Sequence, residues 1–250
     1  MNIKDKVILI PGGAGGIGTA IAKECSRRNA KVYLLDLDEE RGMMAQEELQ
    51  SAGGLGCFVK MDLTSEESWQ RTISSILDKE GKIDVLVNNA GINIRKPIEE
   101  MTIEEWSTMM LVNTGSVFLG CKYVIPVMKK QQKGSIINTS SVCGLIGHQY
   151  TPEAYTATKG AVTLFTKAIA SRYAGYGIRC NSIHPSTVRT PLVKEMMKDP
   201  EKAAQRLGEV PLGRLATVED VAYSVVYLAS EEASFINGVS LPVDGGVTCY

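Results

Sequence analysis

The chain has 250 residues, carries a net charge of −1, and is 44% hydrophobic and 22% charged. That length permits one well-buried α/β domain, and the near-neutral charge with no basic block gives no footprint for nucleic acid. No apolar run approaches the roughly 18 residues of a membrane span, and the first residues lack the apolar core and cleavage site of a signal peptide. Cys25, Cys57, Cys121, Cys143, Cys180 and Cys249 are scattered with no C-x-x-C, which reads as reduced, mostly buried thiols in a cytoplasmic protein. His148 and His184 are far apart and suggest no metal site.

Residues 6–10 form a short apolar run that reads as a buried strand. Pro11-Gly-Gly-Ala-Gly-Gly-Ile-Gly18 follows, then a helical pattern through Ile21, Ala22 and Cys25, then a second strand over 32–36. Strand, Gly-rich turn, helix and strand is the dinucleotide-binding arrangement. Glycines let backbone N–H groups approach a pyrophosphate at the positive end of a helix. The run fits two registers: Gly13, Gly15 and Gly18 match G-x-G-x-x-G, and Gly12, Gly16 and Gly18 match G-x-x-x-G-x-G. Asp36 closes the second strand, where a carboxylate can accept from a ribose 2′-OH. The acidic run 36–40, with no Lys or Arg in the turn, would repel the extra phosphate of NADP.

The alternation continues with a strand over 56–61, a helix over 65–80 with Ser65 as N-cap, and a strand over 83–87 leading into Asn88-Asn-Ala-Gly91. Long helical patterning over 102–130 includes Asn113. A strand over 134–141 ends in hydroxyls, a helix spans about 153–173, and a strand over 178–184 is stopped by Pro185. A last long helix covers 217–228 and a closing strand 239–243. Strands alternating with helices imply a parallel sheet covered on both faces, in a single domain over 1–250. Asp36, Asp62, Asn88, Ser141 and Pro185 stand at strand ends and should gather along the carboxyl edge, where such sheets bind ligands.

Tyr155 and Lys159, four residues apart, project from one face of their helix. A nearby cation favours the phenolate and lowers a phenol pKa from its usual value of about 10. The pair can therefore transfer protons, although an amphipathic helix with a solvated Lys has the same pattern. Thr139, Ser140 and Ser141 alone could equally cap a strand end, and Asn113 could be a core polar residue.

Together these pieces resemble the short-chain dehydrogenase/reductase family nearly end to end. They are Gly12-x-x-x-Gly16-Ile-Gly18, Asp36, Asp62, Asn88-Asn-Ala-Gly91, Asn113, Ser141, Tyr155-x-x-x-Lys159 and Val243-Asp-Gly-Gly246. The resemblance implies a Rossmann-type doubly wound sheet of about seven strands, and a catalytic set of Asn113, Ser141, Tyr155 and Lys159. It implies an NAD site lined by Gly12, Gly15, Gly16, Ile17, Gly18, Asp36, Leu37, Asp62, Leu63, Asn89, Ala90, Gly91, Tyr155, Lys159, Pro185, Val188 and Thr190. It further implies a homotetramer or dimer. The chain departs from the family at Pro11, where Thr is usual, and at Ser186, where Gly usually follows Pro185. Ser140 is an alternative to Ser141 as the working serine.

The expected reaction is reversible hydride transfer between NAD and a secondary alcohol, cyclic, aliphatic or steroid-like. Family analogy puts the substrate wall in 93–96, 142–150 and the segment after Thr190. Residues 192–212 read as an amphipathic helix forming a lid over about 190–212, and its apolar face argues against a strongly anionic substrate. His148 lies in the loop bordering the substrate; His184 reads as a packed strand residue. Two alternatives remain. One is a 3-oxoacyl-(acyl carrier protein) reductase, disfavoured by Asp36; the other is a non-catalytic nucleotide-sensing module, which should have lost Tyr155 or Lys159.

Overall fold

Successive strand residues point to opposite faces, and here both faces are apolar. The computed structural model describes residues 1–250, and the side chains of all but Leu192. The strands are β1 (Val7–Pro11), β2 (Lys31–Asp36), β3 (Leu55–Lys60), β4 (Val85–Asn88), β5 (Gly134–Thr139), β6 (Ile178–Pro185) and β7 (Ser240–Val243). The helices are α1 (Gly16–Ser26), α2 (Glu39–Ser51), α3 (Glu66–Glu80), α4 (Ile103–Met110), α5 (Ser116–Gln131), α6 (Glu153–Tyr173), α7 (Pro191–Met196), α8 (Pro200–Gly208) and α9 (Val218–Ala229). The seven strands form one parallel sheet in the order β3-β2-β1-β4-β5-β6-β7. Consecutive strands β3 and β4 lie on opposite sides of β1, so the winding reverses there and opens a crevice at the carboxyl edge.

The alternation separates two cores. Ile8, Ile10, Val32 and Leu34 pack with Ile21 and Cys25 of α1 and Val221 and Val225 of α9. Val7, Leu9, Tyr33 and Leu35 pack on the other face with Trp69 and Ile73 of α3, Val124 and Met128 of α5, and Val162 and Ile169 of α6. Helix starts follow their caps: Ser65 accepts from Ser68 N, and Thr102 and Thr217 form capping boxes with Glu105 and Asp220.

The differences from expectation are local. No helix was expected over α2, where only Gly42, Ala45 and Leu49 are buried. β5 ends at Thr139, leaving Ser140 and Ser141 beyond the strand. The single helix expected over 102–130 is broken by a π-type turn, Leu111–Gly115, that contains Asn113. Its run Ile103–Gln131 is long and apolar enough to cross a bilayer, contrary to expectation. It packs instead on α3, β4 and β5. The segment 192–212 holds two short helices, because Asp199 caps α8 and Pro200 begins it. Leu192's side chain lies outside the described residues.

Candidate active site

Gly12 leaves β1 with φ of +76°, and a Cβ there would stand 2.7 Å from Ala90 Cα. A Cβ on Gly18 would collide with Gly12 O. These two positions require glycine, one for its left-handed backbone and one for close approach. They favour the Gly12/Gly16/Gly18 register, although Gly13 is also closely packed, against Leu34. At Gly15 and Gly16 a Cβ would fit in ordinary contact, meeting nothing nearer than 3.5 Å. No side chain caps α1 and no acid occupies its first turn. Its free N–H groups are therefore available to an anion.

Pro11 occupies the end of β1 without breaking the turn. Its carbonyl accepts from Asn89 N at 3.1 Å, and the next donor towards β2 is Gly12 N, 2.8 Å from Leu35 O. The β1–β4 pairing stops at Leu9, before the missing amide is needed. Asp36 closes on the turn: its Oδ2 accepts from Ala14 N at 3.1 Å. Leu37, beside it, is exposed. Asp62 accepts from Thr64 N at 2.8 Å, and Leu63 O accepts from Trp69 Nε1 at 2.9 Å. Asn89 donates to Gly12 O at 3.1 Å, tying β4 to the glycine turn. Asn88 departs from expectation. It points away from the edge into the interior, donating to Asn138 Oδ1 at 2.8 Å. Adjacent residues on a strand face opposite ways, so only one of the two asparagines can face the crevice.

The second half of the site hangs on α6, whose bounds coincide with the expected helix. Lys159 is buried and donates to Thr139 O at 2.8 Å, with its Nζ 5.6 Å from the centre of the Tyr155 ring. Among the neighbours of the Tyr155 phenol, Ser141 does most to favour its charged form. The Ser141 hydroxyl accepts from Cys143 N at 3.2 Å, and the Ser141 carbonyl is held 2.8 Å from His184 Nδ1. Ser140 is turned away: it donates to Lys159 O at 2.9 Å and pairs with Thr163. Of the two serines, only Ser141 acts on the Tyr155 phenol. Asn113 is fully buried; its Nδ2 donates to Ile92 O (2.9 Å) and Thr158 Oγ1 (3.1 Å), and its Oδ1 accepts from Ile92 N (2.7 Å). A Cβ on Gly91 would stand 3.3 Å from Asn113 Oδ1 and 3.4 Å from Lys159 Nζ, so the chain passes directly over both.

Burial dominates the titration of the pair. It pushes the Tyr155 phenol up to about 12; Cys143 adds to the rise, while Ser141 and Arg95 oppose it. Burial also pulls the Lys159 ammonium down to about 8. The expectation that Lys159 lowers the Tyr155 pKa is therefore not met by the chain alone, because the cation is itself desolvated and directed at Thr139 O. The cost of burying charged Lys159 is complete below pH 8 and fades as pH rises to the ordinary lysine value of 10.5. Lys159→Met should stabilise the fold at pH 7 by on the order of 2 kcal/mol, net of the lost hydrogen bond, with a smaller gain at pH 10. Thermal unfolding at both values checks this; a lower midpoint at pH 7 would refute it.

The far wall begins at β6. Pro185 pairs with Val243, and Ser186 Oγ is buried with no hydrogen-bond partner among the described residues. Val188 is buried and bridges to Ala216, while Thr190 caps α7 and lies with Pro191 over Gly16. His184 is packed as expected, between Ser141 O and Ser182. The His148 ring is occupied by Glu209 Oε2 at 3.4 Å and by Tyr150 N at 3.3 Å. Two features escaped sequence reasoning. Arg206, 9% exposed, donates to Tyr150 O at 3.3 Å, which ties α8 to the loop after Ser141. Arg95 Nη1 reaches Met196 Sδ of α7 at 3.7 Å.

Sheet, glycine turn and the Ser141–Tyr155–Lys159 cluster define a dinucleotide-dependent oxidoreductase. The family profile described as enoyl-(acyl carrier protein) reductase matches residues 12–248. A cyclopentanol dehydrogenase of Comamonas testosteroni is 43% identical over 99% of this chain and 98% of its own. A 2,5-dichloro-2,5-cyclohexadiene-1,4-diol dehydrogenase of Sphingobium indicum is 39% identical over 98% of this chain and 97% of its own. The crystal structure of levodione reductase is 31% identical, covers 99% of both chains and superposes with a TM-score of 0.93. The chain belongs to the short-chain dehydrogenase/reductase family, and is an alcohol dehydrogenase/ketone reductase using a nicotinamide cofactor, NAD or NADP.

Proposed function

We propose that this chain oxidises secondary alcohols, cyclic ones foremost, reversibly and with NAD. The observation that carries the reading is buried Lys159, its Nζ 5.6 Å from the centre of the Tyr155 ring, with Ser141 at the same carboxyl edge that holds the glycine turn. The relatives named for cyclic alcohols support the ring preference.

Gly12, Gly15, Gly16, Ile17 and Gly18 would cradle the cofactor's pyrophosphate, and Asp36 and Leu37 its adenosine ribose. Asp62 and Leu63 would border the adenine, with Asn89, Ala90 and Gly91 beneath the second ribose. Pro185, Val188 and Thr190 would face the nicotinamide, where the partnerless Ser186 Oγ offers a further hydrogen bond. When bound, oxidised nicotinamide accepts the hydride and adds a positive charge that favours the Tyr155 phenolate. Tyr155 takes the alcohol proton, and Ser141 holds the same oxygen and polarises it in the ketone direction. Lys159 supports the phenolate and binds ribose. Asn113, facing Lys159 across Gly91, relays protons towards solvent through a bound water.

Residues 190–212 act as the lid, tethered to the loop after Ser141 by Arg206. An apolar groove of about 710 Å³ between α5 and α6, including Phe118, Phe165 and Ile169, supports assembly of copies through these helices into a tetramer. Six free thiols suit a cytoplasmic setting. A panel of cyclic and acyclic secondary alcohols with NAD, followed by nicotinamide reduction, tests the activity. Cyclopentanol and cyclohexanol should exceed open-chain alcohols of equal carbon number in kcat/KM. A panel without turnover refutes the reading.

A further inference from the structure

Arg95 is a cation without a carboxylate. It is exposed, and among the described residues its guanidinium makes no ion pair. Lys96, the next residue, by contrast pairs with Glu105 at 2.5 Å. Glu195, adjacent to Met196, is already paired with Lys198 at 2.6 Å. Arg95 instead donates to the Met196 thioether at 3.7 Å, a weak acceptor that leaves most of its five N–H groups unanswered.

Its position gives this meaning. Gly91 passes over Asn113 and Lys159 Nζ, and the chain reaches Arg95 four residues later. Met196 ends α7, whose first residues lie over Gly16. Arg95 thus links the segment after Gly91 to the end of α7, and its charge favours the Tyr155 phenolate. Lys159 too has a carbonyl, not a carboxylate, as its partner. The unanswered charge of Arg95 attracts anions.

We propose that Arg95 is a specificity-determining residue that binds the carboxylate of a hydroxy acid. The carboxylate is set off from the reacting carbinol carbon by a ring or short chain. This deepens, and rests on, the reading of Tyr155 as the group at the carbinol. The apolar composition of the lid segment points away from anions, but Arg95 belongs to the opposite wall. A planar guanidinium offers two parallel N–H bonds to a carboxylate, and lid closure over Met196 would shield them from water.

The test compares 4-hydroxycyclohexanecarboxylate, its methyl ester and 4-methylcyclohexanol with the full-length protein and NAD. The acid should exceed both neutral compounds in kcat/KM by at least about tenfold, chiefly through KM. Arg95→Met should collapse that ratio to about one, and Arg95→Lys should retain part of it, since a point charge keeps attraction but loses the fork. A second arm needs no turnover: cyclohexanecarboxylate should bind the NAD-loaded protein at least about tenfold more weakly in Arg95→Met. An ester equal to the acid, an unchanged ratio in Arg95→Met, or equal cyclohexanecarboxylate affinities would overturn the proposal. Absence of turnover with intact, Arg95-dependent binding would instead refute the reading of Tyr155.

Discussion

Tyr155→Phe should lower kcat for alcohol oxidation by about a hundredfold to ten-thousandfold while NAD binds within about threefold of the parent protein. The substitution removes one oxygen and keeps the ring that packs beside Lys159, 5.6 Å away. Ser141 keeps its hydroxyl on Cys143 N and its carbonyl on His184, so the oxygen-binding corner should survive. Only the proton acceptor is gone. Steady-state kinetics beside an NAD titration separates the two effects, and kcat within tenfold of the parent would end the proposed mechanism. In the parent, oxidation should speed up with rising pH and ketone reduction slow down. The buried phenol rests near 12 until cofactor charge lowers it, so the base form is scarce at neutral pH.

Cofactor choice should show the next largest effect. NADP should support turnover at least about a hundredfold less efficiently than NAD, a difference of about 2.7 kcal/mol. Asp36 is locked to Ala14 N, so it cannot easily swing away from a phosphate. The cations nearby are engaged: Arg41 with Asp38 at 3.4 Å and Lys60 with Glu39 at 2.7 Å. One repulsion at about 4 Å near a surface is worth roughly 4 kcal/mol, enough to produce the discrimination. Asp36→Asn keeps an acceptor for Ala14 N and removes the charge. It should narrow the NAD:NADP ratio of kcat/KM at least about tenfold, with the NADP value rising. A parent protein that uses both cofactors within tenfold would contradict the reading of Asp36.

What could be read in advance follows from the range over which each feature is determined. The strands were legible because residues such as Leu9, Leu34 and Leu86 are apolar on both faces of a covered sheet, which leaves uninterrupted runs. The α6 bounds were legible from Pro152 at one end and the Gly175–Gly177 region at the other. The glycine turn depends on residues within a few positions of each other. Strand-end position alone could not tell Asn88 from Asn89, since their facing depends on where β4 starts in its pleat; the family resemblance chose Asn89. The shifts on Tyr155 and Lys159 depend on desolvation by distant segments, so spacing alone had only the attractive half of the problem. Arg95 fell within the 93–96 wall expected from the family, but its contact with α7 comes from a hundred residues later. The break at Asp199-Pro200 was visible in the sequence, yet the amphipathic pattern on either side outweighed it.

The π-type turn at Leu111–Gly115 takes up one residue more than a regular helix without loss of phase. Met109, Asn113, Val117, Cys121, Val124 and Met128 all face inward, and from first to last the chain advances 19 residue steps over five turns. Five regular α-helical turns need about 18. One surplus residue has therefore been taken up as a bulge, leaving Met109 before it and Val124 after it seated in the core. Removing a residue there would restore a regular helix, keep both hydrophobic stripes in register and withdraw the carboxamide from Ile92. At this point in the chain, length rather than residue identity separates a sound scaffold from a working one.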